Sequence, residues 1–212
     1  MKGCLISLEG GEGAGKSTVL EALRAHLECL GIKLLVTREP GGTALGEAIR
    51  SVVLDEQMGQ VCAESELLLM FAARAQLVRE LIMPALDEGT WVLSDRFTDA
   101  SYAYQGGGRG QPEGRIAELE AWAASGIKPD LTLLLDVPVE IGLARAQVRG
   151  VPDRIESEQS GFFDRVRSAY RERAGLEPSR FRIIDSSQDI DSVAASALAA
   201  VDEFMIRQRD SK

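Results

Sequence analysis

The sequence predicts an α/β fold of three layers, a five-stranded parallel sheet flanked by helices. Three observations carry that expectation. Short apolar runs alternate with stretches of helical periodicity along the 212 residues, the pattern of a parallel sheet covered on both faces. The run Leu131–Leu135 lacks a polar-out alternation, as expected of a strand buried on both sides. Gly10 to Ser17 matches G-x-x-x-x-G-K-[ST] between a predicted strand and a predicted helix, the setting that a phosphate-cradling loop requires.

Taken in order, Gly3–Leu8 reads as a strand ending in glycines. Lys16–Leu30 has helical spacing through Val19, Leu20, Leu23, Leu27 and Leu30, and stops at Gly31. Ile32–Val36 is a second strand, followed by the turn-rich loop Arg38–Thr43. Helices are expected over Ala44–Leu54 and Glu64–Leu86. Trp91–Leu93 is a third strand, ending at Ser94-Asp95, and Gly106-Gly107-Gly108 marks a loop. A helix over Pro112–Ala124 precedes the strand Leu131–Leu135, which ends in Asp136. Val139–Val148 is helical, Arg149–Ser157 a polar loop, and Gln159–Ala174 helical. Phe181–Ile184 is the last strand and Ile190–Ile206 the closing helix. No repeat or linker interrupts residues 1–212, so one domain is expected, with a mobile excursion near Arg149–Ser157.

Hydrophobic residues make up 45% and charged residues 27% of the chain, enough for an ordinary core. The formal net charge of −9 argues against nucleic acid as a partner. No apolar stretch is long enough to span a bilayer, and the N-terminus does not read as a signal peptide. Cys4, Cys29 and Cys62 are odd in number and widely spaced, which suits reduced thiols in the cytoplasm. The one histidine, His26, reads as a helix-surface residue.

In the loop Gly10, Gly11, Glu12, Gly13, Ala14, Gly15, Lys16, Ser17, glycines let backbone N–H groups turn inward to phosphate oxygens. The helix that follows, opening on Lys16, Ser17 and Thr18, adds its positive end. Lys16 brings charge to the outer phosphates, and Ser17 a hydroxyl to Mg²⁺. The chain contains no asparagine, so it lacks the Asn-Lys-x-Asp guanine reader of a GTPase. Its length suits a small-substrate kinase better than a motor. Such an enzyme must grip two anions at once. Arg38 and Arg96 fall at strand ends, where open parallel sheets bind ligands. Arg145, Arg149 and Arg154 lie in or beside the polar loop. Asp95 and Asp136 both end apolar strands. Asp95 is preferred as the acid that helps to hold Mg²⁺, and Asp136 as a helix cap.

Five segments then resemble one family in order: Glu9–Thr18, Thr37-Arg38-Glu39-Pro40-Gly41-Gly42-Thr43, Phe71-Ala72-Ala73-Arg74, Asp95-Arg96-Phe97, and Ala103-Tyr104-Gln105-Gly106-Gly107-Gly108-Arg109-Gly110. Together with Pro129–Thr132 and Asp153–Glu156, this set resembles bacterial-type thymidylate kinases over nearly the whole chain. The resemblance implies a P-loop nucleoside monophosphate kinase fold and transfer of the ATP γ-phosphate to dTMP, with Mg²⁺. It implies that Arg38 and Arg96 bind the dTMP phosphate and that Arg74 hydrogen-bonds thymine. Ser101, Tyr104 and Gln105 would line the base and sugar pocket, with Tyr104 excluding a ribose 2′-hydroxyl. Glu12 would lie near the sugar 3′-hydroxyl, a group that a carboxylate can accept from. Residues of about 149–158 would be a lid. Because the phosphate loop has no arginine at its variable positions, a lid arginine would supply the charge on the transferred group, Arg149 first and Arg154 second. Either Met70 or Phe71, both on one helix face with Arg74, would pack on the base; Phe71 as plain core is the alternative. A homodimer is implied, with Glu64–Leu86 either its surface or a doubly buried core helix. Two other readings of the chain are a nucleotide-binding module without transfer activity and a kinase for another nucleoside monophosphate.

Overall fold

The computed structural model describes residues 3–148 and 153–210. Five strands, β1 (Leu5–Glu9), β2 (Leu34–Arg38), β3 (Trp91–Asp95), β4 (Leu131–Asp136) and β5 (Phe181–Asp185), form one sheet in the order β2-β3-β1-β4-β5. Every pairing is parallel, so the three-layer α/β expectation holds. Successive residues of β1 feed opposite faces, and all five are buried. Ile6 and Leu8 join Leu93, Leu133 and Leu135 beneath α1 (Lys16–Cys29) and α9 (Ile190–Asp210). Leu5 and Val92 face Leu77, Val78 and Ile82 on the other side.

The structure corrects several boundaries. The second strand starts two residues later than expected and includes Arg38, because β2 pairs with β3 through Arg38 opposite Asp95. The helix expected over Glu64–Leu86 is three pieces: α3 (Ala63–Leu77), a π-helical turn (Val78–Ile82) and α4 (Met83–Asp87). Pro84 lacks an N–H and cannot continue an ordinary helix ladder. Nor is α3 buried all round, since Leu67 is buried but Leu68 is exposed.

The Gly106–Gly108 segment is not an open loop. A short α5 (Thr98–Ser101) runs into a π-helical turn, Tyr102–Gly108, packed on α8 (Ser160–Leu176). A Cβ on Gly108 would lie 2.4 Å from the Phe162 ring, so the glycines allow close approach of the two elements. The remaining helices are α2 (Ala44–Leu54), α6 (Glu113–Ala123) and α7 (Val139–Gln147). Asp136 is not a helix cap: its carboxylate accepts from Arg167 at 2.7 and 3.0 Å. Cys4 is buried, while Cys29 and Cys62 are exposed free thiols. No described helix is long and apolar enough to cross a membrane.

Asp99, fully buried on α5, accepts from Arg173 and from Arg180, the latter at 2.7 and 2.9 Å. Removing the acid's charge leaves the partly exposed Glu177 as the one carboxylate shared by two largely buried guanidinium groups. Asp99→Asn is therefore expected to lower unfolding free energy by about 3 kcal/mol, measured by urea denaturation. A loss under about 1 kcal/mol would show that Glu177 suffices for the two arginines.

Candidate active site

The site lies at the carboxyl end of the sheet, where β1, β2 and β3 release Gly10, Glu39 and Arg96. The register places Leu8 beside Asp95 and Asp95 beside Arg38, so side chains far apart in sequence meet at one edge. A cavity of about 210 Å³ opens there, lined by Glu12 to Ser17 on one side and by Arg38, Arg50, Met70, Arg96, Tyr104 and Gln105 on the other.

The loop Gly10–Gly15 keeps its curl through left-handed glycines, among them Gly13 at φ 66°. A Cβ on Gly13 would fall 1.9 Å from the Gly142 carbonyl of α7, so only glycine fits. Helix α1 then starts at Lys16 with no side-chain cap and no acid in its first turn, an arrangement that leaves the helix N-terminus for an anion. Lys16 Nζ donates to the carbonyls of Gly10 and Gly11 at 3.1 and 3.0 Å. Burial, and then Arg96, pull its pKa below the usual lysine value. Ser17 borders the main cavity and the one beside it. Thr18 borders the latter, formed with Arg145, Gln188, Asp189 and Ile190.

Arg96 adopts φ 71°, a left-handed backbone rare for arginine. Its neighbours hold it there. Arg96 N donates to Leu8 O, Ser94 Oγ to Arg96 O, and Phe97 N to Glu9 Oε1 at 2.7 Å. The guanidinium donates to Gly10 O at 3.0 Å, Tyr170 Oη at 3.2 Å and Glu12 Oε1 at 2.8 Å, and stacks over the Tyr104 ring. Tyr104 Oη also donates to Glu12 at 2.8 Å. Glu9, fully buried, accepts from Tyr170 Oη at 2.8 Å. Burial chiefly, with Asp99 next, pushes the Glu9 carboxyl up to about 8 against the pull of Arg96.

Arg38 reaches the cavity while paired with Glu47 at 2.8 Å. Met70 borders the cavity, whereas Phe71 turns into a cluster with Leu67, Tyr102 and Ile116. Its ring carries the Arg74 guanidinium at 4.5 Å. Arg74 itself does not border the cavity. Its three nitrogens are engaged with Glu39, Ser101 and the Phe97 carbonyl, and Ser101 is buried behind it. Arg154 does not meet the phosphate loop either: it donates to Glu66 Oε2 and to Val53 O, both at 2.7 Å. Arg149 lies outside the described residues. Asp95 borders the cavity, and its Oδ1 is buried without a partner among the described residues.

Sequence reasoning missed Arg50, a helix-surface arginine by periodicity, because only the packing of α2 turns it into the cavity, with Nη1 on Pro40 O. It also missed Glu9, Glu39 and Glu66. All three are buried acids, and burial leaves no mark on the sequence. Glu9 and Glu39 had a visible signal, their places in Glu9–Thr18 and in Arg-Glu-Pro-Gly-Gly-Thr; Glu66 had none.

A family model described as thymidylate kinase matches residues 8–197. A thymidylate kinase of Pseudomonas syringae pv. tomato is 53% identical over 209 residues, covering 99% of this chain and all of that relative. Thymidylate kinases of Methylococcus capsulatus and Methylobacillus flagellatus are 51% and 50% identical, each over 96% of this chain and at least 97% of their own length.

Glu9 carries a pH prediction. Its folded pKa is raised from 4.5 to about 8, so between those values the folded state binds more protons than the unfolded chain. Stability contributed by this group therefore falls as pH rises across that window. Glu9→Gln should flatten the decline, read from urea unfolding at pH 5 and pH 8. An equal decline in both proteins would place the titration elsewhere.

Proposed function

The chain belongs to the thymidylate kinase family and transfers the γ-phosphate of ATP to dTMP in dTTP synthesis, and on that premise we propose how its cleft divides the work. The observation that carries the proposal is the convergence of Arg38, Arg50 and Arg96 on one cavity opposite the phosphate loop. An anion met by three arginines on one side and by a P-loop on the other fits a phosphate acceptor facing a triphosphate donor.

ATP is held by the Gly10–Ser17 amides and the N-terminus of α1, with Lys16 leaving its loop carbonyls for the outer phosphates. The cavity beside Thr18, Arg145 and Ile190 suits the rest of the nucleotide. Arg38, Arg50 and Arg96 hold the dTMP phosphate so that one of its oxygens attacks the γ-phosphorus while ADP departs. The positioning of two anions against their repulsion is itself most of the catalysis. Glu12, set by Arg96 and Tyr104, takes the sugar 3′-hydroxyl. Met70 supplies the apolar contact to the base and Gln105 a polar one. Arg74, engaged by Glu39 and Ser101, supports that wall from behind.

Oxygen donors suit Mg²⁺, and Asp95, whose Oδ1 has no partner among the described residues, and Ser17 border the same cavity. They would hold the ion, which neutralises charge between the outer phosphates. Residues 1–212 act as one kinase domain whose segment of about 149–158 is a lid. Asp153, Ile155 and Glu156 bordering the cavity support that reading. Exposed Leu68 on α3 and Trp122 on α6, two helices that pack together, support a homodimer through this side. Exposed free thiols suit the cytoplasm.

A coupled assay of ADP release should show dTMP preferred over dUMP, AMP, CMP and GMP. Preference for a purine monophosphate would overturn the assignment of the base pocket. Arg149→Ala should lower kcat by about 10²–10³ with little change in KM for dTMP, the signature of charge met in the transition state. A change confined to KM would remove Arg149 from that role.

A further inference from the structure

Glu66 stands near the start of α3, one turn before Met70, with its carboxylate almost fully buried. Its Oε1 accepts from Gln105 Nε2 and from Arg109 Nε, each at 3.1 Å. Its Oε2 accepts from Arg109 Nη2 at 3.1 Å and from Arg154 Nη2 at 2.7 Å. Arg109 is further paired with Glu158 and lies over the Phe162 ring. Two acids and two arginines thus balance in one partly buried cluster. Burial pushes the Glu66 carboxyl up, but hydrogen bonds from Arg109, Arg154 and Gln105 outweigh it and hold it below the usual glutamate value.

A side-chain amide has two ends that differ only in whether they donate or accept, and it can bind either way round. An ionised carboxylate settles the choice, because it only accepts. Turning the Gln105 amide over would set its oxygen against Glu66 Oε1 in a buried site, at the cost of an unmade hydrogen bond and a repulsion. The amide nitrogen must therefore face Glu66. That leaves Gln105 Oε1 as the end available to a ligand. Gln105 borders the cavity, is 1% exposed, and its Oε1 is without a partner among the described residues.

We propose that Glu66 is a positioning residue for base selection: by binding the amide nitrogen of Gln105 it obliges that side chain to present an acceptor to the base. The inference rests on the dTMP-kinase reading of the cavity. An acceptor matches the ring N3–H of thymine, whereas the N3 of cytosine is itself an acceptor and meets it unfavourably. Two arginines keep Glu66 ionised, so the orientation is fixed before any nucleotide arrives. Arg154 belongs to the 153–158 segment that borders the same cavity, so the carboxylate that orients the base reader also anchors the segment beside it.

The test is a reciprocal exchange read as a ratio. Glu66→Gln keeps the size of the side chain but can donate, so Gln105 is free to turn over. With ATP as donor, the ratio of kcat/KM for dTMP to that for dCMP is expected to fall about tenfold or more. The double variant E66Q/Q105E makes residue 105 an acceptor only and should regain the ratio. A merely structural role for Glu66 would lower the melting temperature of E66Q without moving the ratio, and an unmoved ratio in a folded E66Q protein overturns the proposal. If E66Q alone does not fold, a folded double variant that still fails to prefer dTMP overturns it equally. Failure of the unsubstituted protein to use dTMP at all would instead be a failure of the kinase reading.

Discussion

Arg96 is held at a backbone φ of 71°, a left-handed conformation that costs an L-residue about 1–2 kcal/mol. The carboxyl end of the sheet depends on that constraint. With Arg96 turned this way, its guanidinium lies against the phosphate loop at Gly10, touches Glu12 and covers the Tyr104 ring. A regular strand exit would send the same side chain elsewhere. The conformation persists because its surroundings over-determine it: Leu8 O and Ser94 Oγ bind its backbone, Glu9 binds the next amide, and Tyr170 joins the Glu9 carboxyl group to the guanidinium. Strain of this kind at a functional site needs such support.

The same logic of buried acid and held arginine recurs around the cleft. Glu39 holds Arg74, Glu66 holds Arg109 and Arg154, and Asp99 holds Arg173 and Arg180. Only five of the chain's basic residues are lysines. Arginine suits these sites because its planar fork binds a carboxylate at two points and is not easily neutralised by burial. A chain of net charge −9 can therefore surround an anionic substrate with cations, since many of its acids serve to orient arginines inside the protein. Whole-chain charge bears on bulk electrostatics but says nothing of the local field in a cavity.

Much of the fold was legible because it rests on local rules. Apolar runs, glycine stops and the phosphate-loop pattern each act over a few residues, and all five strands were found within a few residues of their bounds. The errors arose where packing overrode local pattern. Gly106–Gly108 reads as a loop by composition, yet the absence of side chains there lets a π-helical turn meet Phe162. Asp136 reads as a cap by position, yet α8 brings Arg167 to it. Met70 and Phe71 are neighbours that sequence could not separate, because a rotation of one helix decides which borders the cavity and which enters the core.

The sequence by itself determined the parallel three-layer architecture, the triphosphate loop, the family and the positions of Arg38 and Arg96 at strand ends. These follow from periodicity and motif, which are written in consecutive residues. The tertiary structure alone decided that Arg50 joins those arginines, that Arg74 and Arg154 are engaged by Glu39 and Glu66, and that Gln105 is bound at its nitrogen end. The reason is one of range. A hydrogen bond between residues 66 and 105, or 9 and 170, exists only after loops have closed and water has been excluded, and neither event leaves a local signal along the chain.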